Sequence, residues 1–175
     1  MLARQCRALR NKQQRECLHG ACMDGEVKIV YLRDAAGVYA GGPAYATEGS
    51  AGMDLRACLE EEKIEIAPGC RAPIPTGICI EPCAAGAAGF VYSRSGLGAV
   101  KGLAVAQGVG VIDPDYRGEI AVWLLNTSAE ARTVARGERI AQLVFQPVLR
   151  LKPVAAAGLS ETRRGAGGFG HTGQQ

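Results

Sequence analysis

Short apolar runs separated by turn residues dominate the chain from Val27 onward. Ile64-Glu65-Ile66 alternates apolar and polar positions and ends at Pro68-Gly69, as a half-buried strand does. Similar runs recur about every eight to twelve residues. They are Val27–Leu32, Met53–Leu59, Ala72–Glu81, Phe90–Tyr92, Leu103–Ala106, Ile120–Leu125, Thr133–Val134 and Ile140–Val148. The pattern predicts an all-β sandwich or barrel, with one short helix around Ser95–Val100.

The two ends of the chain depart from this pattern. Residues 1–25 are basic and lack a long apolar stretch, so they are not a secretory signal. They are a disordered tail, translated sequence before a start at Met23, or an organelle presequence, although Ser and amphipathic periodicity are missing. Residues 154–175 are rich in Ala and Gly. We therefore predict a basic extension over 1–25, a β domain over 26–153 and a flexible arm over 154–175.

Composition excludes several classes of protein. The 175 residues suit one domain. The longest apolar run is far shorter than the ~20 residues of a membrane-spanning helix. With 20 Lys+Arg against 17 Asp+Glu, the net charge of +3 does not favour nucleic-acid binding. Seven cysteines without a CxxC pair indicate reduced thiols in a cytoplasmic protein, although Cys17, His19 and Cys22 imitate half of a metal knuckle.

Two segments could handle phosphates. In Ala51–Leu55, Asp54 comes after a glycine turn and is either a cap or turn residue or a ligand for Mg²⁺, which needs few protein carboxylates. Ser93–Leu97 follows an apolar strand and opens the predicted helix. Arg94 could bind phosphate in a bidentate manner, and Ser95 could add a hydroxyl. The alternative is a helix cap beside a solvated arginine.

Two further segments could handle a nucleoside. Gly108–Ile120 is predicted as a hairpin, in which Asp113 could polarise a water and Tyr116 could lie against a sugar. Its Asp-Pro-Asp could instead only form the turn. In the glycine-rich tail, Arg164 could bind a phosphate and Phe169 could stack on a base. A low-complexity disordered end is the alternative there.

Together with Gly137–Leu143, these segments resemble, in order and spacing, the five motifs of the trimeric dUTPase family. The resemblance extends from about Lys28 to Gly173. It implies a jelly-roll-like β fold, a homotrimer with shared active sites, and Mg²⁺-dependent hydrolysis of dUTP to dUMP and pyrophosphate, which supplies dUMP for thymidylate synthesis and keeps uracil out of DNA.

The resemblance also implies a role for individual residues. Asp113 would orient the attacking water and meet the 3′-hydroxyl, Asp54 would reach Mg²⁺ through its water shell, and Tyr116 would exclude ribose. The expected phosphate ligands are Arg94, Ser95, Gly96 and Gln142, and the expected uracil contacts are Gln107, Gly108, Val111 and Ile112. Another subunit's arm would close the site with Arg164 and Phe169, and would bring Gly170, His171 and Thr172 near the γ-phosphate.

Some positions depart from the family pattern, and rival functions exist. Ser93 stands where many relatives carry Pro, Gln107 where some use Asn, and His171 where some carry Ser. A dCTP deaminase of related fold would need a Glu in the region of Val122–Leu124, which is apolar here. Loss of Asp113 or of the arm would favour a non-catalytic nucleotide sensor on this fold. The sequence contains both Asp113 and the arm.

Overall fold

The computed structural model describes residues 25–168. They contain eleven strands and two short helical segments. The strands are β1 (Val27–Tyr31), β2 (Met53–Arg56), β3 (Lys63–Ile66), β4 (Arg71–Pro75), β5 (Ile78–Pro82), β6 (Ala87–Ser93), β7 (Leu103–Val105), β8 (Gly110–Ile112), β9 (Ala121–Asn126), β10 (Arg132–Ala135) and β11 (Arg139–Pro147). Helix α1 spans Ala35–Tyr39, and a π-helical turn spans Gly96–Val100. The predictions for the basic extension, and for Phe169, Gly170, His171 and Thr172, lie outside the described residues.

All strand pairs in the described region are antiparallel and form four small sheets. The largest has the order β2-β11-β6-β8, and the next has the order β4-β9-β7. Strands β1 and β5 form one two-stranded sheet, and β3 and β10 form another. The inward faces bury one hydrophobic cluster, which includes Leu55, Ile74, Ile78, Leu124, Val134, Ile140 and Leu143. The all-β prediction is confirmed, because alternating strands bury one face each.

Helix α1 was not predicted from the sequence. It has only five residues, contains Gly37, and begins after Asp34 without a side-chain capping hydrogen bond. It packs against the turn between β4 and β5, where Gly77 has a φ of +72°. A Cβ on Gly77 would lie 2.5 Å from the Ala35 Cβ, so only glycine fits. This turn also divides the predicted run Ala72–Glu81 into two strands.

The segment predicted as a hairpin joins two sheets. Its flanks pair as expected, since β7 and β9 are antiparallel neighbours. Between them, however, β8 leaves this sheet and pairs with β6 in the other. Gly110 permits this pairing, because a Cβ there would lie only 3.2 Å from the Val91 Cβ. The loop after β8 therefore begins at the β2-β11-β6-β8 sheet, with Asp113 as its first residue. It ends at β9, in the β4-β9-β7 sheet.

The last strand ends at Pro147, and the chain then leaves the domain. The Val148 N–H donates to the Gly86 carbonyl, at 2.7 Å. Beyond it the aliphatic side chains are exposed, with Leu149 at 88% and Leu159 at 94% of full exposure. No helix between residues 25 and 168 has the length and apolar character needed to cross a bilayer.

Candidate functional site

A cavity of about 320 Å³ lies between β8, β9 and the loop that joins them. Its lining residues are Val91, Val105, Gln107, Gly110, Val111, Ile112, Asp113, Tyr116, Glu119, Ile120, Ala121, Val122 and Trp123. We call it the β8 cavity. It combines an apolar floor with two carboxylates and one phenol. Strand β8 is the last strand of its sheet in the described region, so one edge of its backbone is not paired with β6.

The loop from Asp113 to Ile120 is held by several hydrogen bonds. The Tyr116 N–H donates to the Asp113 carbonyl at 3.1 Å, and the Tyr116 hydroxyl donates to the Glu119 carbonyl at 3.0 Å. The Arg117 guanidinium donates to the Pro114 carbonyl at 2.8 Å. The Asp113 side chain is exposed at the start of this turn and faces the cavity. These bonds hold the backbone of the loop and the Tyr116 phenol in place beside the cavity.

Arg117 also links the loop to an exposed charge cluster on β1 and β5. Glu81 accepts from Lys28 at 3.1 Å and from Arg117 at 3.3 Å. The hydrogen bond and charge of Lys28, followed by the charge of Arg117, hold the pKa of the Glu81 carboxyl below its ordinary value. The pKa of Lys28 is raised by the same bond. The cluster orients Arg117. Because its charged groups are solvated, it contributes little to the stability of the fold.

A second cavity, of about 360 Å³, lies where β2, β6 and β11 meet the π-helical turn. Its lining residues are Ala46, Ser50, Ala51, Gly52, Asp54, Arg94, Ser95, Gly96 and Gln142. We call it the Arg94 cavity. A guanidinium, two hydroxyls and an amide face it. Such a set of donors is suited to phosphate oxygens.

Asp54 sits between two arginines at this cavity. Arg94 Nε lies 2.9 Å from Asp54 Oδ1, and Arg139 Nη1 lies 3.1 Å from Asp54 Oδ2. The Asp54 side chain is only 17% exposed. Each carboxylate oxygen therefore has its own cationic donor, and the arginine that could bind phosphate is already oriented at the cavity wall.

Gln142 reaches the same cavity because of the register of β11. It lies opposite Asp54 of β2 and Tyr92 of β6, and its Nε2 donates to the Ser93 carbonyl at 3.3 Å. A Cβ on Gly52 would lie 3.1 Å from Gln142 Oε1. Glycine at position 52 therefore leaves room for the amide.

Comparison with known proteins assigns the chain to a family. A family model for dUTPase matches residues 39–173. The chain belongs to the dUTPase family. The matched range contains every residue that lines either cavity.

A sequence relative supports this membership of the dUTPase family, and two solved structures share its fold. The chain is 52% identical over 149 residues to the deoxyuridine 5'-triphosphate nucleotidohydrolase of Desulfitobacterium hafniense, which covers 85% of this chain and 96% of that protein. Among solved structures, a mutant dUTPase of Staphylococcus bacteriophage 80alpha with dUpNHpp superimposes with a TM-score of 0.73 at 22% identity, covering 85% of this chain and 98% of that one. A mutant dUTPase of phage phi11 of S. aureus, described with a structural Mg(II) ion, gives a TM-score of 0.66 at 18% identity, covering 78% and 99%. The predicted jelly-roll-like fold is confirmed.

The predicted dUTPase site residues divide into two groups in the structure. Gln107, Val111, Ile112, Asp113 and Tyr116 line the β8 cavity. Asp54, Arg94, Ser95, Gly96 and Gln142 line the Arg94 cavity. The two cavities have no lining residue in common. The residues predicted for the nucleoside and those predicted for the phosphates therefore line separate cavities of the chain.

Two predicted residues within the described range line neither cavity. Gly108 is exposed beside the β8 cavity, with a φ of +80° and its N–H bonded to the Val105 carbonyl at 3.0 Å. Arg164 lies in the exposed C-terminal segment, where its Nε donates to the Gly167 carbonyl at 2.8 Å. Neither position tests their expected contacts with substrate.

Sequence reasoning missed three residues at or beside the two cavities. Arg139 holds Asp54, and its place in the Gly137–Leu143 segment with Gln142 was the available signal. Glu119 and Trp123 line the β8 cavity. Trp123 could have been found from the alternation of β9, in which Val122 and Leu124 are buried while Trp123 is 43% exposed. Glu119 gave no such signal, because its side-chain partners, Gly77 and Arg33, are distant in sequence.

Proposed function

We propose that this chain hydrolyses dUTP to dUMP and pyrophosphate by attack of water on the α-phosphorus. The observation that carries the proposal is that, in a chain of the dUTPase family, Asp113 and Tyr116 line the β8 cavity while Arg94 and Gln142 line the Arg94 cavity. We take these cavities as the nucleoside half-site and the phosphate half-site of the proposed reaction. The relative from Desulfitobacterium hafniense bears the name of this activity at 52% identity.

The β8 cavity would receive the deoxyuridine. Uracil presents two carbonyls and one N–H along one edge, and the outer edge of β8 offers backbone groups of the matching kinds. The backbone groups of β8 that point away from β6 support recognition of the base by main-chain hydrogen bonds. The Tyr116 ring, fixed at the cavity wall, would leave no room for a ribose 2′-hydroxyl. The preference for a deoxynucleotide would then be steric.

Asp113 would orient and polarise the attacking water. Its carboxylate is exposed to the cavity at the start of a well-bonded turn, so it can accept a proton from a water held there. Phosphoryl transfer needs placement and charge neutralisation more than covalent help from the protein. On the phosphate side, Arg94, Ser95, Gly96 and Gln142 would hold the phosphate oxygens.

Mg²⁺ would be held at Asp54 together with the substrate phosphates. Asp54 is the one carboxylate among the residues that line the Arg94 cavity, and Mg²⁺ commonly uses one or two carboxylates with substrate oxygens and water. Each Asp54 oxygen accepts from one arginine, so a contact with metal-bound water would use the remaining lone pairs of the carboxylate. The ion would neutralise charge on the phosphates, while Arg94 orients the triphosphate.

A complete site would require more than one copy of the chain. The two half-sites share no lining residue, which supports an active site built from different subunits of a homotrimer. The exposed aliphatic residues of the C-terminal segment and the outward Trp123 provide apolar surface for contact between subunits. The arm of another subunit would close over the triphosphate with Arg164.

Release of pyrophosphate from dUTP, compared with dCTP, dTTP and UTP, tests the activity. We expect dUTP to be the preferred substrate. Release of ammonia from dCTP would instead indicate a deaminase, and tight binding of dUTP without turnover would indicate a nucleotide sensor.

The four described cysteines, Cys58, Cys70, Cys79 and Cys83, are free, which supports a reducing compartment such as the cytoplasm.

A further inference from the structure

The ring of Tyr116 lies directly over Gly118. A Cβ built on Gly118 would lie 2.5 Å from Tyr116 Cζ and 3.0 Å from Cε2. The ring is 44% exposed in the protomer, so the surrounding core does not fix its position. Its observed place depends on the missing side chain at position 118 and on the hydrogen bond from its hydroxyl to the Glu119 carbonyl.

The backbone beneath the ring is itself firmly held. Glu119 Oε1 accepts from the Gly77 N–H at 2.7 Å and pairs with Arg33. The Ile120 N–H donates to the Ile78 carbonyl at 3.0 Å, and the Ile120 carbonyl accepts from the Thr76 hydroxyl at 2.6 Å. Residues 119 and 120 are therefore anchored to the turn between β4 and β5. Because Gly118 precedes this anchor, it cannot easily move away from the ring.

We propose that Gly118 is a specificity-determining positioning residue, which lets the Tyr116 ring lie flat against the loop and so sets how closely the sugar can approach. The inference rests on the proposed function, in which Tyr116 excludes the 2′-hydroxyl. A steric gate discriminates only if the repelling group cannot yield. Here the ring has backbone behind it and the anchored Glu119 carbonyl at its tip, so a 2′-hydroxyl would not push it aside.

The fold should tolerate a methyl group at this position. Gly118 has a φ outside the left-handed region, so alanine is not strained there. The close atoms belong to the far end of the Tyr116 side chain, which can rotate, and not to the core. Gly118→Ala should therefore displace the ring and break its bond to Glu119 while leaving the strands intact.

The test measures kcat/KM for dUTP and UTP with wild type, Gly118→Ala, Tyr116→Ala and the double variant. Exclusion of one hydroxyl by an apolar contact is worth on the order of a hundredfold. We expect Gly118→Ala to lose at least about tenfold in dUTP/UTP preference. The double variant should discriminate no worse than Tyr116→Ala, because the glycine acts through the ring.

The matched control is Gly37→Ala, a glycine in α1 with ordinary φ and no atom within 4 Å of the added Cβ. It should keep the wild-type preference, and thermal unfolding should show that Gly118→Ala is folded. An unchanged preference in folded Gly118→Ala would overturn the inference, as would a further loss in the double variant. If wild type shows no preference or Tyr116→Ala retains it, the gate assigned to Tyr116 in the proposed function fails instead.

Discussion

Asp113 and Asp115 are two residues apart, yet only Asp113 faces the β8 cavity. Asp115 is exposed on the same turn and is not among the cavity-lining residues. The two carboxylates share their charge and their local sequence but differ in what they can reach. This pair therefore separates an effect on the reaction from a general effect of removing charge.

We predict that Asp113→Asn lowers kcat for dUTP while the affinity for the substrate is kept. The amide keeps the shape of the side chain but cannot accept a proton from water, and general-base assistance is worth ~10²–10⁴-fold. Steady-state kinetics and calorimetric binding of a non-hydrolysable analogue measure the two effects. Asp115→Asn should retain near-normal turnover. Retention of more than about a tenth of the rate in Asp113→Asn would contradict the role.

At the scale of elements, the short helix α1 supports β2 through one buried phenol. The Tyr39 hydroxyl accepts from the Arg56 N–H at 3.1 Å, and its side chain is buried in the core cluster. Burial, as the largest cause, raises the pKa of Tyr39 to about 12, and the backbone hydrogen bond from Arg56 offsets part of this. In the unfolded chain the pKa is about 10.

We predict that stability falls as the pH rises above about 10. In that range the unfolded state loses the Tyr39 proton while the folded state keeps it, so the contribution present at lower pH declines by roughly 1.4 kcal/mol per pH unit. Chemical denaturation at pH 8 to 11 measures the slope. The fall of stability with pH should be shallower for Tyr39→Phe than for the wild type. Tyr45→Phe, at an exposed position, serves as the control. Parallel slopes for wild type and Tyr39→Phe would contradict the assignment.

The sequence predicted most strands but not how they pair. Alternation at Ile64–Ile66 and the apolar run at Ile120–Leu125 were visible because each strand buries one face. Helix α1 was not visible, since five residues are too few for a helical period. The pairing of β8 with β6 depends on the fit of Gly110 against Val91, a contact between distant residues. Likewise, the motifs named Asp54 and Arg94, but the ion pairs that join them to Arg139 emerge only from the fold.

Residues 149–166 of the C-terminal segment are all exposed. We predict that truncation after Leu159 leaves a folded trimer that hydrolyses dUTP poorly. The removed residues include Arg164, which is exposed and bonded only within its own segment among the described contacts. Loss of a charged hydrogen bond (~1.5–3 kcal/mol) and of one stacking contact (~1–3 kcal/mol) corresponds to roughly two to four orders of magnitude in rate. A large fall in melting temperature would show instead that the segment is structural.

For the whole molecule, the separation of the half-sites predicts complementation between chains. Arg94→Ala disables the Arg94 cavity, and Asp113→Asn disables the β8 cavity. In a mixed cyclic trimer one interface of three joins an intact Arg94 cavity to an intact β8 cavity. Random equal mixing should therefore restore about a quarter of the wild-type activity.

Pyrophosphate release after co-refolding of the two variants measures this recovery. The background activity is measured with each variant refolded alone and with a chain that carries both substitutions, also refolded alone. Native mass spectrometry must confirm mixed trimers. If verified mixed trimers release pyrophosphate no faster than this background, a site shared between subunits would be contradicted.

Strand β4 has a further consequence, for behaviour at high protein concentration. Within residues 25–168 it is an edge strand, and it carries Pro73 and Pro75. The neighbouring Thr76 N–H donates toward β9, to the Ile120 carbonyl at 3.1 Å, so the two proline nitrogens face away from β9. An incoming strand would find two donors missing from that edge. The edge is therefore a poor template for cross-β growth, and aggregation should be suppressed there without any charged residue being needed for that purpose.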